Sequence, residues 1–153
     1  EMIETVSFSG TTYNKLPYKF EAGTPNIAGA IALHQAGKFI HKVGYAFIEE
    51  QESALLDYGT QKLSEIDGLR IVGTAKEKAS VISFVVDGIH NYDLATLLNQ
   101  QGIAVRDGHH CCQPLMSRFG IEGTCRASFA MYNTLEEIDI LVDSLQKAIT
   151  ILR

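Results

Sequence analysis

The sequence predicts an α+β domain: a small, mainly antiparallel sheet covered by helices on one face. Three observations carry this expectation. Apolar residues recur at helical spacing over 27–43 and 46–66. Two short β-rich runs follow, Leu69 to Val72 and Val81 to Val86, parted by the charged turn Lys76-Glu77-Lys78, which predicts an antiparallel hairpin. Strand-like and helical segments then interleave to the end of the chain. With 153 residues, the chain falls within the roughly 100–200 of a single domain. A globule of this size buries about 68–70% of its unfolded surface, so it needs no disulfide or structural metal to fold.

Each element has a local reason. Met2 to Val6 alternates like a strand, while Gly10-Thr11-Thr12 and Leu16-Pro17 break the extended pieces of residues 1–25. From Pro25 the pattern turns helical: Ile27, Ala30, Ile31, Ala36, Phe39, Ile40 and Val43 line one face until Gly44 interrupts. The second helix, 46–66, carries Leu55, Tyr58, Leu63 and Ile66 as its apolar stripe. Asn91 is read as the cap of a helix that Gly102 ends, and Ile103-Ala104-Val105 as a third strand. Residues 106–113 are read as a polar loop, and Pro114 opens a short helix that stops at Gly120. Cys125 to Met131 is the fourth strand. Thr134-Leu135-Glu136-Glu137 is a capping box for a last helix, whose stripe is Ile138, Leu141, Val142, Leu145, Ala148, Ile149 and Leu152.

Composition narrows the function. Apolar residues make up 46% and charged residues 20%, which excludes wholesale disorder. A net charge of −5 argues against a general nucleic-acid surface. No apolar run approaches the roughly 18 residues of a membrane-spanning helix, and the start does not read as a signal peptide. Glu1 opens the chain without an initiator Met, so the expectation is a piece of something longer. Three cysteines, two of them adjacent, make a poor disulfide framework and point to a reducing, cytoplasmic setting.

Chemistry concentrates in Arg106-Asp107-Gly108-His109-His110-Cys111-Cys112-Gln113-Pro114. Two thiols stand just before a short helix, beside two imidazoles and an arginine, and such surroundings favour the nucleophilic thiolate. Residues 103–132 carry a net +1 while the rest of the chain carries −6. A structural role for these thiols is the plain alternative. Zinc is another, although four consecutive His and Cys residues lack the C-x₂₋₄-C or H-x₃₋₅-H spacing that lets ligands converge. A strained vicinal disulfide between Cys111 and Cys112 is a third. In the strand from Cys125, alternation sends Cys125, Ala127, Phe129 and Met131 to an apolar face, which makes Cys125 an inert buried thiol. Arg126 faces the other way, either in a surface ion pair or as a planar grip for a carboxylate. Gly23-Thr24, directly before a helix, offers N–H groups and a hydroxyl to a phosphate, or simply a turn. His34, His41 and His90 show no ligand spacing and are read as surface or helix-packing residues.

Together Phe-Glu-Ala-Gly-Thr-Pro-Asn at 20–26, Arg-x-Gly-His-His-Cys at 106–111 with Gln113-Pro114-Leu115-Met116, and Cys-Arg-Ala-Ser-Phe-Ala-Met-Tyr-Asn-Thr at 125–134 resemble the cysteine desulfurase/selenocysteine lyase family. These are class V, fold-type I aminotransferases that use pyridoxal phosphate, and the match is to the group with the short Cys loop. It extends over essentially all 153 residues.

The resemblance implies roles. Cys111 is then the nucleophile that takes sulfur as a persulfide, Arg126 the ligand of the amino-acid carboxylate, and Arg106 an auxiliary arginine beside them. Thr24 with Gly23 is the contact to the cofactor phosphate that one subunit of a homodimer supplies to the other's site. Residues 1–25 are the tail of the cofactor-binding large domain, and 26–153 the C-terminal small domain. The substrates implied are L-cysteine and L-selenocysteine, with a sulfur-acceptor protein as partner and iron–sulfur cluster assembly as destination. The family's Schiff-base lysine and its ring-stacking histidine lie upstream of this segment, so the fragment alone is expected to be inactive. Two departures stand out: Asp107 replaces a small or hydroxyl residue, and Cys112 replaces a frequent Ala. The rival reading is a stand-alone module whose His/Cys loop holds a metal or docks a partner.

Overall fold

A computed structural model describes all 153 residues. The chain divides into two compact units, Glu1–Gly44 and Tyr45–Arg153. In the first, strands β1 (Ile3–Ser7) and β2 (Gly10–Tyr13) pair antiparallel, and the Thr5 and Thr12 hydroxyls hydrogen-bond across them. Gly10-Thr11-Thr12 is thus strand rather than breaker, because Phe8 and Ser9 take the turn. Helix α1 (Ile27–Val43) starts where Asn26 accepts a bond from the Gly29 amide at 2.9 Å. It ends at Gly44, whose φ of 93° an L-side chain resists. No residue of α1 is buried. The helix belongs with the hairpin to the first compact unit, which ends at Gly44.

The second unit holds the core. Helix α2 (Tyr45–Ser64) leads into β3 (Leu69–Val72) and β4 (Val81–Val86), the expected antiparallel hairpin. Helix α3 (Asn91–Gln100) follows, then β5 (Arg106–Gly108), the short helix α4 (Gln113–Phe119), β6 (Thr124–Ser128) and α5 (Leu135–Leu152). The four strands run β3-β4-β6-β5, every pair antiparallel. The α+β expectation holds. One sheet face, with Ile82, Phe84, Val86, Cys125 and Ala127, is buried against Leu56, Leu63 and Ile66, Leu94 and Leu98, and Leu141, Leu145, Ala148 and Ile149. Fully burying a side chain of this kind contributes about 1.5–3 kcal/mol.

Two elements depart from expectation. The third strand of the sequence reading, 103–105, is not in the ladder: β5 is Arg106–Gly108, inside the stretch read as a loop. Ile103 and Val105 instead pack against the core from an extended lead-in. Helix α3 is capped by His90, whose Nδ1 accepts the Tyr92 amide at 3.2 Å, and Asn91 is its first residue. The capping box of α5 forms as read, with Thr134 and Glu137 bonding each other's amides.

Candidate active site

Register assembles the site. On the sheet face away from the core, Val72 pairs with Ser83, Ser83 with Arg126, and Arg126 with Arg106. Cross-strand partners share a face, so these residues form one row across all four strands. It places two guanidinium-bearing residues opposite each other, and like charges so placed repel. The Nε of Arg126 is buried with no partner. An anion relieves both conditions, since carboxylates accept the planar fork of arginine.

The residues after β5 bring the thiols to this row. His109 to Cys112 make a tight turn in which the Cys112 amide donates to the His109 carbonyl at 2.8 Å. Its central residues, His110 and Cys111, have φ of 53° and 59°. Two consecutive left-handed, non-glycine residues cost about 1–3 kcal/mol each, and such strain gathers at functional sites. The Cys111 amide donates to His109 Nδ1 at 3.1 Å. Sequence reasoning set both thiols just before the helix; Cys112 is its N-cap residue, with a thiol that makes no capping bond, and Cys111 lies one residue further out.

His110 turns inward. Its Nε2 hydrogen-bonds the buried Thr124 hydroxyl at 2.8 Å, while its Nδ1 is buried and unpartnered. Burial, and then the charge of Arg126, hold its pKa below the ordinary histidine value. Its neutral form is thereby favoured, and the imidazole serves as a hydrogen-bonding group rather than as a further cation beside the two arginines.

A cavity of about 310 Å³ lies between α4 and this sheet face, its walls including Ser83, His110, Cys112, Met116, Thr124 and Arg126. The structure thus brings Arg126 and Cys112 together. Arg106 adjoins Arg126 through the ladder and is exposed, and Cys111 stands exposed on the turn rather than in the cavity wall. Gly23 and Thr24 are exposed in the other compact unit. Asp107, which the sequence sets close to the reactive loop, pairs with Cys125 and so emerges on the core side. Cys125 is buried there, its thiol donating to the Asn91 carbonyl at 3.1 Å. Burial, with the Asp107 charge, pushes its pKa up to about 12, so it stays an uncharged thiol. No three His, Cys, Asp or Glu side chains converge to hold a metal ion.

Sequence reasoning missed Thr124 and Ser83 as site residues and took the imidazoles only as nearby charge. Thr124 carries a usable signal, standing two residues before Arg126 on the same strand face. Ser83 carries none, because only the β4–β6 pairing brings it there.

The chain belongs to the class-V aminotransferase family, whose sequence model matches residues 1–141. Within that family its relatives are cysteine desulfurases. It is 52% identical over 147 residues to a probable cysteine desulfurase of Xylella fastidiosa strain Temecula1, covering 96% of this chain and 35% of that protein. Against a probable cysteine desulfurase of Vibrio cholerae serotype O1 it is 51% identical over 152 residues, covering 99% and 37%. The structure of the Escherichia coli cysteine desulfurase CsdA in its S-sulfonic acid form superposes with a TM-score of 0.86 at 38% identity, covering 99% of this chain and 38% of that one. The apo cysteine desulfurase of Thermococcus onnurineus NA1 gives 0.82 at 41% identity, covering 95% and 36%. The chain therefore spans a little over a third of the length of these relatives, and the resemblance read from its motifs is borne out.

The family implies pyridoxal phosphate. Tested on this chain, Gly23 (φ 75°) and Thr24 offer an open loop: a Cβ added at Gly23 meets nothing within 4 Å. No lysine is buried. Gly23 and Thr24 lie in open, exposed loop and form no pocket for the cofactor's ring.

Proposed function

We propose that this chain works as part of a cysteine desulfurase that converts L-cysteine to L-alanine and leaves the sulfur as a persulfide on Cys111. One observation carries the reading. Arg126 and His110, each with a buried and unpartnered nitrogen, both line a cavity beside a strained turn that bears an exposed Cys111. Arg126 grips the substrate carboxylate, and Arg106 adds charge from the neighbouring strand. The Cys111 thiolate attacks the substrate sulfur, so an S–S bond forms and the carbon–sulfur bond breaks. The electron pair stays with the substrate carbon, which takes up a proton as alanine. Pyridoxal phosphate supplies the electron sink for this chemistry when bound. Gly23 and Thr24 contact its phosphate across a homodimer, and residues outside this chain hold the rest.

The persulfide then passes to a sulfur-acceptor protein for iron–sulfur cluster assembly, in the cytoplasm. L-Selenocysteine is a second substrate, because its weaker carbon–selenium bond lets selenium leave without the thiol. Cys111→Ala in the full-length protein is expected to bring alanine formation from L-cysteine down to background while sparing much of that from L-selenocysteine. Equal loss of both activities would remove Cys111 from the nucleophile role.

A further inference from the structure

We propose that Cys112 is a second sulfur carrier, which accepts the sulfur from Cys111 and holds it at the mouth of the Arg126 cavity. This rests on the reading of Cys111 as first acceptor. The two thiols are consecutive and both exposed, and they face different surroundings. Cys112 belongs to the cavity wall with Arg126 and His110; Cys111 does not. Cys112 makes no capping hydrogen bond that would tie up its sulfur. Transfer between neighbouring residues is intramolecular, and this proximity replaces a slow encounter between two molecules.

The step balances without any other reagent. The Cys112 thiolate attacks the outer sulfur of the Cys111 persulfide; one S–S bond forms and one breaks. Cys111 leaves as a thiolate, and the proton of the transferred sulfur moves to it, which leaves a persulfide anion on Cys112. Attack on the inner sulfur would instead expel hydrogen sulfide and close a vicinal disulfide. Disulfides join Cα atoms usually 4.4–6.8 Å apart, whereas neighbours across a trans peptide sit about 3.8 Å apart. Ring closure is therefore the strained path and transfer the open one. Once on Cys112, the sulfur shares the cavity with Arg126, whose positive charge favours a persulfide anion there, and Cys111 is free to take a second sulfur. Cys125 cannot join the relay, being buried with its thiol bonded to a backbone carbonyl.

The test uses the full-length holoenzyme given L-cysteine without an acceptor, then alkylated, digested and sequenced by mass spectrometry to place the extra sulfur. The variants are Cys111→Ser and Cys112→Ser. The wild type is expected to carry sulfur on both residues and to hold about twice the sulfur of Cys112→Ser, which carries it on Cys111 alone; Cys111→Ser is expected to carry none. Sulfur confined to Cys111 in the wild type, with an unchanged total in Cys112→Ser, overturns the relay and leaves Cys111 as the nucleophile. Wild-type loading of Cys112 in Cys111→Ser overturns both, because Cys112 would then be the first acceptor.

Discussion

His110 sits where charge is costly, between a buried strand face and the guanidinium of Arg126, and its pKa is lowered by burial first and by Arg126 second. The sign of the consequence follows from proton counting. As pH falls through the ordinary histidine value of 6.5, the unfolded chain takes up a proton that the folded chain resists. The unfolded state then binds more protons, so stability drops as pH falls towards the folded pKa and is fully present above the unfolded value. His110→Gln, which keeps a hydrogen-bonding group for Thr124, is expected to flatten that part of the profile. Urea unfolding of both proteins between about pH 8 and about pH 5 checks this, and parallel curves would contradict it. The residues of this site were unevenly legible. Arg126 could be placed from strand alternation alone, as could the burial of Cys125. The left-handed turn at His110 and Cys111 was hidden, since neither position carries the glycine or asparagine that normally marks such backbone.

Among the elements, β5 shows why a strand can escape a reading by side chain. Ile103-Ala104-Val105 has the β-rich composition, yet the ladder uses Arg106, Asp107 and Gly108, because pairing joins backbone to backbone and the register is set by β6. Close approach at its end fixes one residue type. A Cβ placed on Gly123 would lie 2.7 Å from the backbone carbon and oxygen of Gly108, which a side-chain rotation cannot relieve. Gly123→Ala is expected to destabilise the fold by about 1–3 kcal/mol and to displace β5, and Arg106 with it. The same substitution has the opposite sign in α1. Gly37 is a helix-interior glycine with nothing within 4 Å of an added Cβ, so Gly37→Ala is expected to stabilise that helix by about 0.5–1 kcal/mol. Thermal denaturation with circular dichroism reads both. Helices α1, α4 and α5 were legible because their ends carry local marks: Pro25 and Gly44, Pro114 and Gly120, and the capping box at Thr134. The strand order β3-β4-β6-β5 has no local mark and came only with the structure.

Across the whole molecule, core and apolar surface are divided unequally. Every buried hydrophobic residue lies between Leu55 and Ile149, while Val6, Phe8, Leu16, Phe20, Ile27, Ile31, Leu33 and Phe39 of the first unit are exposed. Apolar side chains left in solvent contribute nothing to the stability of the isolated chain. Residues 45–153 should therefore fold on their own, with the core cluster of α2, α3, α5 and the sheet intact. Expressed as a separate polypeptide, they are expected to unfold in a single transition at a denaturant midpoint close to that of residues 1–153. They should also bind less of a hydrophobic dye such as ANS, because the exposed apolar residues of the first unit are gone. A broad, non-cooperative transition would show that the first unit does supply part of the core's stability. Unchanged dye binding would show that the apolar surface accessible in solution lies instead on the second unit.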